Sequence, residues 1–370
     1  MKFLYVTTIG GTMIFFHRLI RELIEDGHTV EIAANTGITD VPEEYFALGC
    51  RVHRIDCVRT PFSRSNLTAV RQLRDIVREG GFDIVHCHTP VAAAVTRLAC
   101  RTQRKSGLRV FYTAHGFHFY RGAPLKNWLL YYPAERICAP MTDVLITINN
   151  EDYTLAQRKL HAGRVAYVPG VGVDIARFAD AAADAAQKRA EIGVPADAFL
   201  LLSVGELNEN KNHAVVIRAL AELNDPHVHY AIAGKGGLRD ALTALAQSLG
   251  VGDRVHLLGY RRDIPELYKS ADACVFPSIR EGLGLAAIEG MAAGLPLIVS
   301  DSRGAKMYAE NNVNAIVCPL GCAPSVYAGA IARLRDDGAL RAAWGEYNRR
   351  AAWNYDIGVI LPRMREIYGI

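Results

Sequence analysis

The stretch Arg280-Glu-Gly-Leu-Gly-Leu-Ala-Ala-Ile-Glu289 comes shortly after an apolar run, Ala273–Phe276. The run predicts a buried strand, the glycines predict a turn, and the following residues predict a helix that begins near Leu283 or Gly284. The first N–H groups of a helix lack partners and lie at its positive dipole end, so they favour a phosphate group. This strand, turn and helix therefore predict an anion site at the end of a strand.

Two glutamates accompany that site. Glu281 falls in the turn, and the side chain of Glu289 leans back toward the start of the helix. Each carboxylate can accept hydrogen bonds from two adjacent hydroxyls, as a ribose or hexose presents them. Because glutamate is also common on solvated helix surfaces, the pair alone leaves both interpretations open.

The rest of the chain alternates short apolar runs with helical patterns. This alternation predicts an α/β fold with two doubly wound, Rossmann-like domains, ligand sites at strand carboxyl ends and a cleft between the domains. A Gly- and Pro-containing stretch at 168–174 predicts the connection, which places the domains at 1–170 and 171–352, with a C-terminal helix at about 353–370. The predicted strands are Phe3–Thr8, Thr29–Ala33, Val52–Ile55, Ile84–His88, Val110–Ala114, Val144–Ile148, Val165–Val168, Phe199–Gly205, Tyr230–Ala233, Val255–Leu258, Ala273–Phe276, Leu297–Ser300 and Ala315–Cys318; predicted helices include Thr12–Glu25, Leu67–Arg78 and Val91–Arg104.

Composition restricts the class of protein. With 370 residues, half of them hydrophobic, the chain is long enough for two cores. The N-terminal run lacks a cleavage-site pattern and no apolar stretch is long enough to span a bilayer, so we expect neither a signal peptide nor a membrane span. The eight cysteines form no C-x-x-C pair, which favours reduced thiols in a cytoplasmic protein.

Charge is uneven along the chain. Residues 1–170 contain 21 Lys and Arg against 15 Asp and Glu, whereas the remainder contains 21 against 23. Seven arginines lie between Arg51 and Arg78, and Arg71, Arg74 and Arg78 share one face of a predicted helix. Such a face is either solvated or in contact with anionic lipid. Nucleic acid is a poorer match, because no aromatic and basic repeat accompanies the charge.

Further candidate site residues follow other predicted strands. Gly10 and Gly11 would allow close approach to an anion, although no G-x-G-x-x-G fingerprint is present. His115 and His118, after the fifth strand, could donate a hydrogen bond or accept a proton, or could be structural. We expect His86 and His88, on either side of Cys87, to face opposite sides of their strand and to share no metal ion.

The second half adds basic and glycine-rich turns. Lys211, in the turn after Gly205, would place a positive charge at a helix start, which suits a diphosphate. Gly234 and Arg261 also follow strands, and both could line a base or phosphate pocket.

With Gly205, Lys211, Gly259-Tyr-Arg-Arg-Asp263 and the Glu281 turn in this order, the chain resembles retaining glycosyltransferases of the GT-B class, family 4. In the first half, Asp83-Ile-Val-His-Cys-His-Thr-Pro90 and Thr113-Ala-His-Gly-Phe-His-Phe-Tyr120 resemble the bacterial capsular and exopolysaccharide branch. So do Thr147-Ile-Asn-Asn-Glu-Asp-Tyr153 and Val168-Pro-Gly-Val-Gly-Val-Asp174. The resemblance spans nearly the whole chain.

The resemblance implies transfer of a hexose or N-acetylhexosamine from a UDP-sugar to an undecaprenyl-diphosphate-linked saccharide, with retention and without a metal or other cofactor. It implies an enzyme peripheral on the inner face of the bacterial cytoplasmic membrane, and the basic first domain would contact anionic lipid. The last helix, within Tyr355–Tyr368, would return to the first domain. The implied catalytic residues are His115, Lys211 and Glu281; the implied donor-binding residues are Gly10, Gly11, Gly205, Gly234, Arg261, Gly282, Leu283, Gly284, Leu285 and Glu289; and the candidate acceptor residues are His118, Tyr120 and Lys126.

One departure bears on the diphosphate. Many family members have Arg after the glycine of Gly205, whereas this chain has Glu206, which must point away or pair with Lys211 or Arg303. The alternatives are a UDP-N-acetylglucosamine 2-epimerase of similar architecture and an inactive nucleotide-sugar-binding protein. A NAD-dependent oxidoreductase is disfavoured by the missing glycine fingerprint.

Overall fold

The computed structural model describes all 370 residues, and they separate into two units. Unit 1 contains Met1–Val171 and Ile360–Ile370, and unit 2 contains Gly172–Val359. All eight cysteines are free thiols, and seven of them are buried. No helix combines the length and apolar character that crossing a bilayer requires.

Unit 1 is built on a seven-stranded parallel sheet covered by helices. Phe3, Leu4, Tyr5 and Val6 in its first strand are all fully buried, because a parallel sheet is packed on both faces. The strands are β1 (Lys2–Ile9), β2 (Thr29–Asn35), β3 (Arg51–Arg54), β4 (Ile84–His88), β5 (Arg109–Ala114), β6 (Val144–Thr147) and β7 (Arg164–Tyr167), and the helices are α1 (His17–Glu25), α2 (Glu44–Ala47), α3 (Arg64–Gly80), α4 (Pro90–Ala99), α5 (Leu125–Cys138) and α6 (Asn150–Lys159). The spatial order is β3-β2-β1-β4-β5-β6-β7, so the order reverses between β1 and β4.

Unit 2 repeats this plan with a six-stranded parallel sheet. Its strands are β8 (Phe199–Val204), β9 (Val228–Ala233), β10 (Val255–Gly259), β11 (Ala273–Phe276), β12 (Leu297–Ser300) and β13 (Ala315–Cys318), and its helices are α7 (Ile175–Ala179), α8 (Ala185–Glu191), α9 (His213–Leu223), α10 (Arg239–Ser248), α11 (Ile264–Ser270), α12 (Leu285–Ala292), α13 (Pro324–Asp336) and α14 (Gly338–Ala352). The order β10-β9-β8-β11-β12-β13 reverses between β8 and β11. Ligands of open α/β sheets bind at such a reversal, outside the carboxyl ends of the strands.

The last helix, α15 (Ile357–Tyr368), carries the chain from unit 2 back to unit 1. Its Tyr368 is fully buried in unit 1, and the hydroxyl lies 2.6 Å from the hydroxyl of Tyr5 and 2.6 Å from Nδ1 of His86. Arg365, one turn earlier, forms an ion pair with Asp26 at 2.7 Å. The helix is thus attached to unit 1 by a buried hydrogen-bonded group and a surface ion pair.

The predicted fold of two doubly wound α/β domains is confirmed, and all thirteen strands form close to their predicted positions. Two helix predictions were too long. The Thr12–Glu25 segment begins as a 3₁₀ helix, Gly10–Phe15, and becomes α-helical only from His17. The Val91–Arg104 segment likewise ends as an α-helix at Ala99, and a separate 3₁₀ turn follows.

Candidate active site

The carboxyl ends of β8 and β11, where the strand order of unit 2 reverses, are joined by one asparagine. The Asn210 side chain donates to the carbonyl of Arg280 at 2.9 Å and accepts from the N–H of that residue at 3.2 Å. Its backbone carbonyl accepts from the N–H of Ile279 at 2.8 Å. These three hydrogen bonds hold the loop after β8 against the loop after β11.

Two predicted site residues meet between these loops. Nζ of Lys211 lies 2.7 Å from Oε1 of Glu281, and the side chains are only 20% and 15% exposed. The ammonium also lies 4.7 Å from the centre of the Phe276 ring, within the range of a cation–π contact. The side chain of Asn208 accepts from the N–H of Lys211 at 3.0 Å and fixes the turn that carries the lysine. Two of the predicted site residues, a cation and a carboxylate, are therefore in direct contact.

The helix start is shaped by close packing. Helix α12 begins at Leu285, and Gly284 precedes it with φ of 97°, a conformation that glycine adopts most readily. A Cβ atom on Gly284 would lie 2.9 Å from both the Phe276 ring and the Tyr308 hydroxyl, so glycine is required on two grounds. A Cβ on Gly304 would lie 2.6 Å from the carbonyl of Leu283. Backbone segments thus pack closely around the turn at the N-terminal end of α12.

Glu289 lies one turn into α12 and is partly buried. Desolvation raises the pKa of its carboxyl to about 7, although Arg177, a hydrogen bond with Tyr268 and the nearby Lys211 oppose the shift. A carboxyl with this pKa exists in both protonation states near neutral pH. Glu289 is therefore close to the pair of Lys211 and Glu281 and is sensitive to what binds beside it.

Glycines bring backbone close to the same place. Gly205 donates its N–H to the carbonyl of Ala233 at 3.0 Å, and a Cβ on Gly234 would lie 1.7 Å from the carbonyl oxygen of Gly205. A Cβ on Gly205 would approach Cε of Lys211 to 3.2 Å. No side chain fits at Gly234, so this glycine is required by packing.

Arg261 forms ion pairs within unit 2 that its position in the sequence did not indicate. Its Nε donates to Asp263 at 2.8 Å, and its guanidinium also pairs with Glu191 from α8. Lys188 joins the group at 2.7 Å from Asp263, and hydrogen bonds from Arg261 and Lys188 hold the pKa of Asp263 well below its usual range. Part of the donor capacity of Arg261 is therefore used within unit 2. Tyr260 beside it is 59% exposed and is an aromatic surface that the sequence did not single out.

Glu206 is exposed and accepts a hydrogen bond from Asn208 at 3.0 Å. Because Lys211 pairs with Glu281, the cation of the site is neutralised by the turn residue. The hydrogen bond that Glu206 accepts comes from Asn208, which also caps the Lys211 turn, so the Glu206 carboxylate has a partner other than Lys211.

In unit 1, His115 forms part of a buried histidine group. Its Nε2 lies 3.1 Å from Nδ1 of His88, and desolvation lowers the pKa of His115 to about 4. The expectation that His86 and His88 face opposite sides of β4 is wrong: residues two apart share a face of a strand, and the ring centres are 4.2 Å apart. Nevertheless, no group of three or more His, Cys, Asp or Glu side chains among the 370 residues is arranged to hold a metal ion.

The glycines of the first turn lie near this histidine group. Gly10 begins the 3₁₀ helix whose following residue, Phe16, has its ring centre 5.9 Å from that of His115. A Cβ on Gly10 would lie 2.4 Å from the carbonyl of Thr39, whereas one on Gly11 would meet only the Thr39 side chain at 3.5 Å. Gly10 is therefore required by packing, and Gly11 is the residue with room beside it.

The candidate acceptor residues occupy the segment from β5 to α5. His118 stacks on Tyr131 with ring centres 4.5 Å apart, and the Tyr120 carbonyl accepts from the Trp128 indole at 3.1 Å. Lys126 is exposed in the first turn of α5. His118 and Tyr120 therefore contact α5, and Lys126 lies within it, but their role toward an acceptor stays a prediction.

Comparison with known proteins identifies the family. Residues 10–170 match the family model described as a glycosyl transferase 4-like domain, and residues 184–351 match glycosyl transferases group 1. EpsD of Bacillus subtilis, which is named as a glycosyltransferase, is 37% identical over 99% of this chain and 96% of its own length. The chain belongs to the family 4 glycosyltransferases. The predicted family and enzyme class are thereby confirmed.

Three further proteins are similar to this glycosyltransferase. It is 27% identical, over 82% of its length and 81% of the relative, to the Escherichia coli UDP-Gal:alpha-D-GlcNAc-diphosphoundecaprenol alpha-1,3-galactosyltransferase. Its fold matches the Anabaena protein HepE, solved in complex with UDP-glucose, with a TM-score of 0.83 at 20% identity over 100% of this chain and 99% of HepE. It also matches WaaG, a glycosyltransferase involved in lipopolysaccharide biosynthesis, with a TM-score of 0.77 at 20% identity over 99% and 98% of the two chains. The GT-B fold is therefore confirmed.

Proposed function

We propose that this glycosyltransferase transfers a hexose or N-acetylhexosamine from a UDP-sugar to an undecaprenyl-diphosphate-linked saccharide, with retention at the anomeric carbon. The observation that carries the donor proposal is the group formed by Lys211, Glu281 and Glu289 at the strand-order reversal of unit 2. It combines one cation for a diphosphate, two carboxylates for hydroxyl pairs and a helix N-terminus in one place.

Each part of this group has a separate task. Lys211 neutralises the β-phosphate, and the backbone of Gly282–Leu285 contacts the sugar and diphosphate. Glu281 accepts from hydroxyls of the donor sugar, and Glu289 accepts from the ribose. Gly11 and His115 of unit 1 act on the same donor, at the diphosphate and at the sugar near the reacting carbon, and the uracil lies against the loop that contains Arg261.

Leaving-group stabilisation follows from charges that are already in position. Lys211 is held by Glu281, so the cation does not have to be ordered when the donor binds. A diphosphate carries more negative charge than one carboxylate and therefore competes well for the ammonium. Together with the α12 N-terminus, this arrangement supports departure of UDP without a divalent metal.

The transfer step is a same-face substitution. The acceptor hydroxyl oxygen forms the new bond to the anomeric carbon as the bond from that carbon to the UDP phosphate oxygen breaks. The acceptor proton moves to the departing phosphate oxygen, and UDP leaves. This scheme needs no enzymic nucleophile and agrees with the use of Glu281 as the partner of Lys211.

The acceptor proposal draws on the E. coli relative, whose name gives a diphosphoundecaprenol acceptor. A lipid-linked acceptor requires the enzyme to work at a membrane surface. Helix α5 offers such a surface, because Leu125, Leu129 and Ile137 are each about 70% exposed. Lys126 and Arg136 are exposed on the same helix, which favours anionic lipid. We therefore propose a peripheral enzyme on the inner face of the cytoplasmic membrane that docks through α5.

This surface replaces the arginine face of α3 as the preferred membrane contact. Arg78 on α3 pairs with Asp75 at 3.0 Å and with Glu79 at 3.1 Å, so part of that charge is neutralised locally. Beside α5, in contrast, a groove of about 560 Å³ is lined by Arg121, Trp128, Arg158 and Lys159 together with one acidic residue. A basic groove next to an exposed apolar helix suits an anionic headgroup or a lipid diphosphate.

The experiment that tests the function is a donor panel. Purified enzyme is incubated with UDP- and GDP-hexoses and N-acetylhexosamines, with and without undecaprenyl-diphosphate N-acetylglucosamine, and NMR of the product gives the anomeric configuration. We expect transfer from one UDP-sugar, and we expect an α-linked donor to give an α-linked product. Transfer from a GDP-sugar only, or inversion, would contradict the proposal.

A further inference from the structure

His88 ends β4 and is held rigidly. Its side chain is only 1% exposed, its ring stacks on Phe16 with centres 4.1 Å apart, and the Tyr5 ring lies 5.6 Å away at 21°. The next residue, Thr89, has φ of 68°, a conformation that residues with a side chain rarely adopt. Stacking on both rings fixes the plane of the His88 imidazole.

The two ring nitrogens of His88 have different surroundings. Nδ1 lies 3.1 Å from Nε2 of His115, whereas Nε2 of His88 is buried without a hydrogen-bond partner. Both imidazoles are neutral near pH 7, because desolvation lowers the pKa of His88 well below its usual value and that of His115 to about 4. Each ring therefore carries a single proton, and in the bond between them one nitrogen must donate and the other accept.

Burial decides which nitrogen donates. If the proton of His88 were on Nε2, a buried N–H would have no acceptor, and orphaned buried N–H groups are rarer in proteins than under-satisfied acceptors. With the proton on Nδ1, the N–H donates to His115 and only a lone pair is left without a partner. This tautomer makes Nε2 of His115 an acceptor and places the proton of His115 on Nδ1.

We propose that His88 is a positioning residue that fixes His115 in the Nδ1–H tautomer through the hydrogen bond from His88 Nδ1 to His115 Nε2. No partner occupies Nδ1 of His115, and that atom is not sealed from solvent. The histidine therefore presents one N–H, and no free lone pair, to whatever binds beside it. The role of this N–H rests on the proposed function: it donates to a hydroxyl of the donor sugar, and His115 does not act as a base.

The tautomer can be measured without any substrate. Long-range ¹H–¹⁵N NMR of protein labelled with ¹⁵N-histidine distinguishes Nδ1–H from Nε2–H imidazoles, and H115Q identifies the signal of His115. We expect His115 to be the Nδ1–H tautomer between pH 6 and 8. A dominant Nε2–H tautomer in the wild-type protein would overturn the proposal.

Two variants separate positioning from packing. H88F keeps an aromatic ring for Phe16 and Tyr5 but has no donor, whereas H88N loses the ring and keeps an amide N–H near the position of Nδ1. We expect H88F to shift His115 toward Nε2–H and to lower kcat by about 10- to 100-fold, as loss of an orienting partner does elsewhere. We expect H88N to retain the tautomer and most of kcat. The reverse ranking would show a packing role and overturn the proposal.

Failure of this inference differs from failure of the proposed function. If H115A retained full sugar transfer while wild-type His115 was the Nδ1–H tautomer, the positioning by His88 would stand and the role of His115 toward the sugar would fall. If either His88 variant did not fold, the wild-type spectrum alone would still decide the tautomer.

Discussion

Nζ of Lys211 lies 2.7 Å from Oε1 of Glu281, so the cation and the carboxylate proposed to hold two different parts of the donor are partners of each other. Both are mostly shielded from solvent, and Asn210 holds the loops that carry them together. Binding of a donor must therefore share or replace this ion pair. This ion pair predicts that one substitution at Glu281 has opposite effects on UDP binding and on sugar transfer.

E281Q is expected to bind free UDP more tightly but to transfer sugar more slowly. Removing the negative charge beside Lys211 leaves the ammonium to the diphosphate, and one charge at this distance is worth about 1 kcal/mol even at the dielectric constant of water, or about fivefold in Kd. The same change weakens acceptance from the sugar hydroxyls. Calorimetry with UDP and a transfer assay measure the two effects, and weaker UDP binding by E281Q would contradict the exchange of partners.

Donor binding is expected to strengthen as the pH rises from 6 to 8. The pKa of Glu289 is raised to about 7, and the ionised form is the better acceptor for ribose hydroxyls. If only that form binds, affinity for a UDP-sugar rises about tenfold over this range, and a proton is released on binding near pH 7. The diphosphate diester of a UDP-sugar does not titrate there, so the dependence reports on the protein.

E289Q is the control for this pH dependence. It should bind the UDP-sugar with an affinity that is flat between pH 6 and 8. The raised pKa also means that ionisation of Glu289 lowers the free energy of unfolding of the protein without a donor. This free energy should fall as the pH rises from about 4.5 through 7. Thermal unfolding of E289Q should lack this loss. An equal pH dependence in both proteins would assign it to another group.

Membrane binding is expected to depend on the apolar face of α5. Leu129 and Ile137 are 70% and 69% exposed, and replacing both by Gln removes two apolar side chains that would enter the lipid interface. We expect the double variant to lose at least about tenfold in sedimentation with phosphatidylglycerol vesicles. L67Q is the matched control, because Leu67 is 66% exposed on α3, the helix with the arginine face. Loss with L67Q alone would assign the contact to α3.

Transfer is expected to continue in EDTA. Lys211 and the N-terminus of α12 supply the positive charge that a divalent metal would otherwise supply to the leaving diphosphate. We expect less than a twofold change in initial rate after dialysis against EDTA. Loss of activity that Mg²⁺ or Mn²⁺ restores would contradict the metal-independent scheme.

The sequence predicted the fold well because the central strands are buried on both faces and appear as short apolar runs between turns. Ala273–Phe276 and Ile84–His88 form with the predicted bounds. It also predicted which residues follow the strand ends, since parallel strands bring their carboxyl ends to one edge. Local patterns were therefore sufficient for the architecture and for the general position of the site.

What the sequence did not predict depends on contacts between distant residues. Lys211 and Glu281 are 70 positions apart, as are Glu191 and Arg261, and no local pattern pairs them. The hydroxyl of Tyr368 reaches His86 across 282 positions. The exposure of the apolar side chains of α5 was also not visible, because apolar residues at helical spacing usually indicate a buried face. Side-chain pairing and exposure therefore required the structure.

The role of Lys211 in stabilising the leaving diphosphate is tested most directly by a comparison of two lysines. Lys211 and Lys2 each pair with a glutamate at 2.7 Å, but Lys2 lies at the amino end of β1, away from the strand carboxyl ends of the candidate site. Transfer from radiolabelled UDP-sugar to undecaprenyl-diphosphate N-acetylglucosamine is measured for wild type, K211M and K2M. We expect K211M to lose about 100-fold in kcat, as loss of one charge-stabilising donor does, and K2M to stay within twofold of wild type. A K211M rate within twofold of wild type, or an equal loss in both variants, would contradict this role of Lys211.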